Sequence, residues 1–279
     1  MNDRCQAPEE HPQGDTAARL DVSPGRVDIW PVALDVPDAE LACLAQLLSP
    51  AERARSDRLV TDQLRRRWTA CRGRLRQILG RYLNTDPATI GLKYQPRGKP
   101  YLQPTAHGAQ LHFNVSHSGD RAVVACAARP VGVDLELQPP AGLLVELERQ
   151  ILSPRELLER QRSASSDEDS NHALLTAWVC KEALAKALGV GIGGGLHAVE
   201  LPSRIRQDAW FRPTRIDPAI LLQIDDDGTC GRTGWCDASF WQIRLLGNVI
   251  PNRAAAAVAV PVGIDEMRLV SIWDGAARA

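Results

Sequence analysis

An α+β chain made of two similar halves is the fold class this sequence predicts, and three observations predict it. First, short stretches recur in the same order. LSPAERARSDR from Leu48 returns as LSPRELLERQR from Leu152, Trp68–Thr69–Ala70–Cys71–Arg72 as Trp178–Val179–Cys180–Lys181, and RAVVACAARPVGVD from Arg121 as RAAAAVAVPVGID from Arg253. Second, stretches of helical apolar spacing alternate with short apolar runs bounded by turn residues. Third, 279 residues with a 44% hydrophobic and 24% charged share are enough for two ordinary globular units. The expected organisation is a disordered or loosely attached lead-in over 1–26, one half over 27–140 and another over 141–279. The halves are expected to pack about a pseudo-twofold axis, with the active site in the cleft between them.

In chain order, Val27–Leu34 predicts a first strand, with Pro31 arguing for a sheet edge. Ser49, Pro50 and Glu52 form the signature of a capped helix start. A second helix, about Thr61–Tyr82, carries Arg65, Arg66, Arg67, Arg72, Arg74, Arg76 and Arg81. A Gly98–Lys99–Pro100 turn and LHFNVSHSGD lead to two strands joined at Arg129–Pro130. The second LSP start follows, then an acidic, serine-rich stretch over 163–171, expected to be a mobile loop. Next comes a long helix, Asn171–Gly191, with Leu174, Trp178, Ala185 and Leu188 on its inner face. Gly189 or Gly191 is expected to end it, GIGGG reads as a flexible connection, and the remainder (AWFRP, ILLQI, FWQIRLL, AAAAVAVPVGI, MRLVSIW) reads as strands.

A net charge of −1 gives no bulk electrostatic case for nucleic acid or membrane, although the arginine helix could meet phosphates or an acidic protein. Seven cysteines, irregularly spaced and without a Cys-x-x-Cys pair, do not form a disulfide framework. With no membrane-length apolar run and no signal-peptide pattern, a cytoplasmic protein is expected.

The chemistry-bearing residues fall in three places. Asp134 and Glu136, two apart on a strand, share a face opposite Val133 and Leu135; they form either half of a site for a hard divalent cation or a solvated strand end. Glu182 and Lys186 project one helical turn apart, with Lys181 beside them; this is either a solvated face or a third carboxylate with a cation. Ser116 and His117 lie among turn-formers, either capping a turn or hydrogen-bonding a phosphate, and Lys99 is either fixed toward an anion or exposed. No G-x-S-x-G elbow accompanies the serine. Cys180, with apolar neighbours at helical spacing, is expected to be core rather than a catalytic thiol.

Taken together, FNVSHSGD, VGVDLE and WVCKEALAKALG resemble the 4′-phosphopantetheinyl transferases of the Sfp type, in their W…KEA subgroup. The likeness runs from about Leu47 to Leu201, and eighteen positions separate Ser116 from Asp134, as the family pattern expects. The resemblance implies transfer of the 4′-phosphopantetheine arm of coenzyme A to a serine of an acyl or peptidyl carrier protein, of fatty acid, polyketide or nonribosomal peptide synthesis. Adenosine 3′,5′-bisphosphate would be released. It implies Mg²⁺ on Asp134, Glu136 and Glu182, with Glu182 also the favoured base and Lys186 assisting the leaving phosphate. It further implies coenzyme A contacts from Arg67, Lys99, Pro100, Asn114, Ser116, His117, Lys181 and Lys186. Duplication within one chain leads to the expectation of a monomer. Asp265 and Glu266 are adjacent, so a second metal site is not expected in the second half. The competing readings are a non-catalytic coenzyme A or carrier-binding module and a metal-dependent phosphodiesterase; neutral charge and the lack of an aromatic-lined basic groove weigh against the latter.

Overall fold

The computed structural model describes residues 20–95, 98–102, 111–137, 141–162, 167–190, 195–207, 209–217, 237–247, 249 and 254–271, with the side chains of 141–145 and 167–168 excepted. The stretches ILLQI and most of GIGGG lie outside these residues.

Period-two alternation builds the centre of the molecule. In β5 (Arg121–Ala127), Ala122, Val124 and Cys126 face one apolar core, while Val123, Ala125 and Ala127 face another. In β10 (Ala254–Pro261), Ala255, Ala257 and Ala259 face a third core, while Ala256, Val258 and Val260 join the second. Both strands are buried on both sides, which is why they read as continuous apolar runs rather than as alternating ones.

These strands belong to two sheets. The first has the order β11–β1–β5–β4, with β1 at Arg26–Ala33, β4 at His112–Ser118 and β11 at Glu266–Leu269. The second has the order β6–β10–β9, with β6 at Gly132–Leu137 and β9 at Trp241–Leu245. The two sheets press their inner faces together through Val27, Ile29, Val133, Leu135, Val258 and Ile264, among others. The halves also exchange strands: β6 follows β5 but pairs with β10, whereas β11 follows β10 but pairs with β1. The two echoed segments therefore make the same crossing in opposite directions, as a pseudo-twofold relation requires. Pro31 is not at an edge, since β1 lies between β11 and β5. β11 runs alongside β1 only as far as Ile29, so the proline sits where that flank is uncovered and its missing N–H costs no ladder bond.

Two long helices cover the outer faces. α3 (Asp62–Leu83) packs Ala70, Leu75, Ile78 and Leu79 on the first sheet, together with Leu44 of α1 (Asp38–Gln46). α6 (Asp167–Leu188) packs Leu174, Leu175, Val179, Ala183 and Leu184 on the second. α6 starts four residues earlier than expected, so Asp167–Asn171 are helical and not a loop. Asp167, Glu168 and Asp169 favour a helix N-terminus through the helix dipole. Gly189 follows the last turn with φ +80°, as a left-handed helix stop.

The repeated LSP motif folds into the same cap twice. Ahead of α2 (Pro50–Asp57), Ser49 Oγ accepts from the Glu52 N–H at 3.3 Å and Glu52 Oε2 accepts from the Ser49 N–H at 2.9 Å. Ahead of α5 (Pro154–Arg162), the corresponding Ser153 and Glu156 bonds are 3.2 and 2.7 Å. α4 (Ala141–Ile151) precedes α5. The end of the lead-in is attached to the first half: Leu20 and Val22 pack on its core, and the Leu20 N–H donates to the Arg81 carbonyl. Phe211, in the AWFRP stretch, contributes a single bridge to Ile243. Among the described residues no helix is long and apolar enough to cross a membrane.

Candidate active site

The site begins at a glycine. A Cβ on Gly132 would overlap the Ala183 carbonyl and the Ala187 amide nitrogen, so only glycine lets α6 lie this close over β6. The close approach sets Asp134 and Glu136, on the α6-facing side of β6, beneath Glu182 and Lys186. Asp134 and Glu182 are each only 2% exposed, and Glu136 is half-buried.

β4 supplies the second wall. It is the edge of the first sheet and β6 the edge of the second, so no backbone ladder joins them. Side chains two apart on β4 take over that task. Asn114 Oδ1 accepts from the Val133 N–H at 2.9 Å, and Ser116 Oγ donates to Asp134 Oδ1 at 2.9 Å. Ser118 Oγ donates to Glu136 Oε2 at 3.1 Å and accepts from the Leu137 N–H at 3.2 Å. The Asn114-x-Ser116-x-Ser118 spacing thus matches Val133–Leu137 across the seam, a period-two signal that could have identified Ser118 from the sequence. Asn114, expected as a coenzyme A contact, is buried at 4% exposure and stitches the two sheets through its Oδ1. Ser116 likewise spends its hydroxyl on the carboxylate side.

Lys186 Nζ donates to Asp134 Oδ1 at 2.5 Å and to Ser116 Oγ at 2.9 Å. Among the described residues, Asp134 Oδ2 and both oxygens of Glu182 are buried without a hydrogen-bond partner. Glu182 is pushed up to about 7 by burial and then by the Asp134 charge. Glu136 is pushed up to about 7 for the same two reasons, in the same order. Buried carboxylate oxygens without donors are costly, and such arrangements mark functional sites.

The opposite wall is cationic. Lys99 is turned inward by the Gly98–Pro100 turn, in which Gly98 has φ +82° and Pro100 opens β3 (Pro100–Leu102) opposite Tyr94 of β2 (Leu92–Tyr94). Its Nζ donates to the Lys186 carbonyl in the last turn of α6; burial and the Lys186 ammonium push it down to about 8. His117 is held below its usual value by desolvation and then by the Arg72 and Lys186 cations. Arg72 was not anticipated for this role. Its guanidinium lies over Trp68 at 5.5 Å and Tyr94 at 5.6 Å, and its Nη1 is buried without a partner among the described residues. Arg55 approaches the same Tyr94 ring at 6.0 Å.

Two predicted contacts fall elsewhere. Among the described residues, the Arg67 guanidinium hydrogen-bonds Asp35 in a fork at 2.6 and 2.7 Å; five positions along α3 turn it away from Arg72. Lys181 is fully buried, with Nζ donating to the Ile151 carbonyl at 2.8 Å and to Glu156 at 2.5 Å, so it does not reach the cleft. Consecutive helix positions differ by about 100°, so Lys181 and Glu182 could not share a target. Cys180 is core, and burial pushes its thiol far up.

Among the described residues, no three His, Cys, Asp or Glu side chains are drawn together closely enough to hold a metal ion as they stand. The chemistry of the donor set nevertheless fits a hard divalent cation: three mutually repelling carboxylates, with Asp134 Oδ2 and both Glu182 oxygens uncommitted.

Comparison with known proteins agrees with this architecture. A family model described as the N-terminal region of 4′-phosphopantetheinyl transferase matches residues 36–129. A second, for the 4′-phosphopantetheinyl transferase superfamily, matches residues 130–232. The chain is 41% identical over 206 residues to the 4′-phosphopantetheinyl transferase HetI of Nostoc sp., covering 73% of this chain and 84% of that protein. Over 162 residues it is 27% identical to the 4′-phosphopantetheinyl transferase Sfp of Bacillus subtilis, covering 54% and 69% of the two chains. A phosphopantetheinyl transferase of L-aminoadipate-semialdehyde dehydrogenase from Xenopus laevis is 30% identical over 171 residues, 58% of this chain and 56% of that one. Both matched regions, the two-sheet fold and the carboxylate–lysine cleft lead to one conclusion: the chain belongs to the 4′-phosphopantetheinyl transferase superfamily.

Proposed function

We propose that this protein transfers the 4′-phosphopantetheine arm of coenzyme A to a serine of an apo acyl or peptidyl carrier protein. The observation that carries the reading is the burial of Asp134 Oδ2 and both Glu182 oxygens without donors among the described residues, while Lys186 Nζ binds the other Asp134 oxygen, in a chain of this family. The carrier serine oxygen attacks the β-phosphorus. The bond from that phosphorus to the bridging oxygen breaks, and the bridging oxygen leaves on adenosine 3′,5′-bisphosphate. No nucleophile is needed from this chain, in keeping with the absence of a serine-hydrolase elbow.

Asp134, Glu136 and Glu182 are the residues that would hold Mg²⁺, which supplies charge neutralisation at the pyrophosphate oxygens when bound. Glu182, the acid of α6 beside Asp134 and Lys186, is the base that accepts the serine proton. Lys186 neutralises charge on the departing phosphate, and Ser116 holds Lys186 and Asp134 in place. Lys99, His117 and Arg72 form the cationic end that takes the nucleotide phosphates, with Pro100 fixing the Lys99 turn and Arg55 beside Tyr94. The two halves of one chain supply both walls, so the monomer is the working unit.

The test is incubation with coenzyme A, Mg²⁺ and several apo carrier proteins, followed by intact-mass measurement. The expected result is a gain of one phosphopantetheine arm on a carrier, abolished by Asp134→Ala. Retained transfer in that variant would sink the assignment, and coenzyme A binding without transfer to any carrier would favour a binding module.

A further inference from the structure

We propose that the buried Lys181–Glu156 pair is a positioning device for the catalytic face of α6; the proposal rests on the transferase reading above. Glu156 first completes the cap of α5, accepting from the Ser153 N–H. Its other oxygen accepts from the Leu201 N–H at 2.9 Å, and Lys181 Nζ reaches the first oxygen and the Ile151 carbonyl at the end of α4. One carboxylate thereby joins the end of α4, the start of α5, the middle of α6 and the segment before the second sheet.

The device matters because Glu182 has nothing else to hold it. Neither of its oxygens has a hydrogen-bond partner among the described residues, so the rotation of α6 about its own axis sets where its carboxylate lies. Lys181 is the preceding residue, about 100° around the helix, and its tether opposes that rotation directly. The Lys99 bond to the Lys186 carbonyl is a second hold, four residues past Glu182. The first half uses the same construction without an acid beside it: its cap carboxylate, Glu52, is bound by Arg76 of α3, and the residue after Arg76 is Gln77. Lys181 and Glu156 touch no reacting atom; they act through the backbone that carries Glu182 and Lys186.

The experiment compares Lys181→Met, which keeps the aliphatic stem and removes the donors, with Glu156→Gln, which breaks the pair from the other side. Steady-state transfer gives kcat and KM for coenzyme A, and hydrogen exchange reports amides 182–188. Both variants are expected to lose at least about tenfold in kcat with KM changed less than about threefold, and to exchange faster at 182–188. A kcat within about twofold of the parent in either folded variant overturns the proposal. So does a rise in KM at constant kcat, which would put Lys181 on the phosphates. If Lys181→Met fails to fold, Glu156→Gln carries the comparison. Should the parent protein itself transfer nothing, the functional reading fails on its own, and the exchange data still decide whether the pair holds α6.

Discussion

The two halves start from one capped-helix motif and use its carboxylate differently. In the first half, Glu52 meets the Arg76 fork at 2.8 and 2.7 Å, and Arg76 Nη1 also donates to the carbonyls of Pro87 and Ile90. Both ions are 2% exposed, and the arrangement closes α2, α3 and the 87–90 segment into one body. In the second half, Glu156 meets a lysine, and the residue after that lysine is the acid of the cleft. An arginine in this place saturates its surroundings. A lysine spends fewer donors, and the helical step of about 100° turns Glu182 the other way. The same cap thus anchors a helix in both halves, and only in the second does that helix carry the proposed catalytic acid.

Predictions that break or sharpen this comparison can be ordered by size. The largest effect is expected from Arg76→Met, which leaves Glu52 buried without its counter-ion. A loss of about 3–5 kcal/mol in urea unfolding is expected, with kcat per folded molecule unchanged. Loss of kcat without loss of stability would make the two halves functionally alike.

Glu182→Gln should act in the opposite direction on stability. The Glu182 carboxyl is raised from 4.5 to about 7 on folding, so its protonated form contributes stability fully present below about pH 4.5 and lost as pH rises through about 7. Without added Mg²⁺ the variant should therefore be about 1–3 kcal/mol more stable than the parent at pH 8, nearly equal to it at pH 5, and inactive. Paired urea melts at the two pH values check the sign; destabilisation at pH 8 would contradict the uncompensated carboxylate.

Arg72→Ala should raise KM for coenzyme A by on the order of tenfold, whereas Arg67→Ala should change it less than about threefold. The reverse order would return the nucleotide contact to Arg67. The smallest effect is expected from Ser118→Ala, at about 1 kcal/mol of stability from the lost β4–β6 seam bonds, measured by thermal unfolding.

Much of this was legible in the sequence because it depends on near neighbours. The caps at Ser49 and Ser153 need only residues three apart. The shared face of Asp134 and Glu136 follows from strand period, and that of Glu182 and Lys186 from helix period. The repeat identified two halves. Other features depended on what lies across the fold. Pro31 looked like an edge residue because a strand does not reveal how far its neighbour extends. Only the family likeness gives Asn114 a ligand contact, and its bond across the seam depends on β4 and β6 lacking a backbone ladder, which FNVSHSGD does not encode. Among seven arginines on one helix, only packing against Tyr94 and Trp68 singles out Arg72.

The sequence by itself determined the α+β duplication, the capped helices, the carboxylate pair, the Glu182–Lys186 face and the family they resemble, because each is encoded in local spacing or in ordered motifs. Only the tertiary structure decided that the halves exchange β6 and β11 and that Gly132 brings α6 down onto β6. It alone turned Lys181 away from Glu182 and Lys186 to Glu156, and left Asp134 Oδ2 and both Glu182 oxygens without donors among the described residues. The physical reason is that burial and partner choice depend on residues dozens of positions away, which local periodicity does not register.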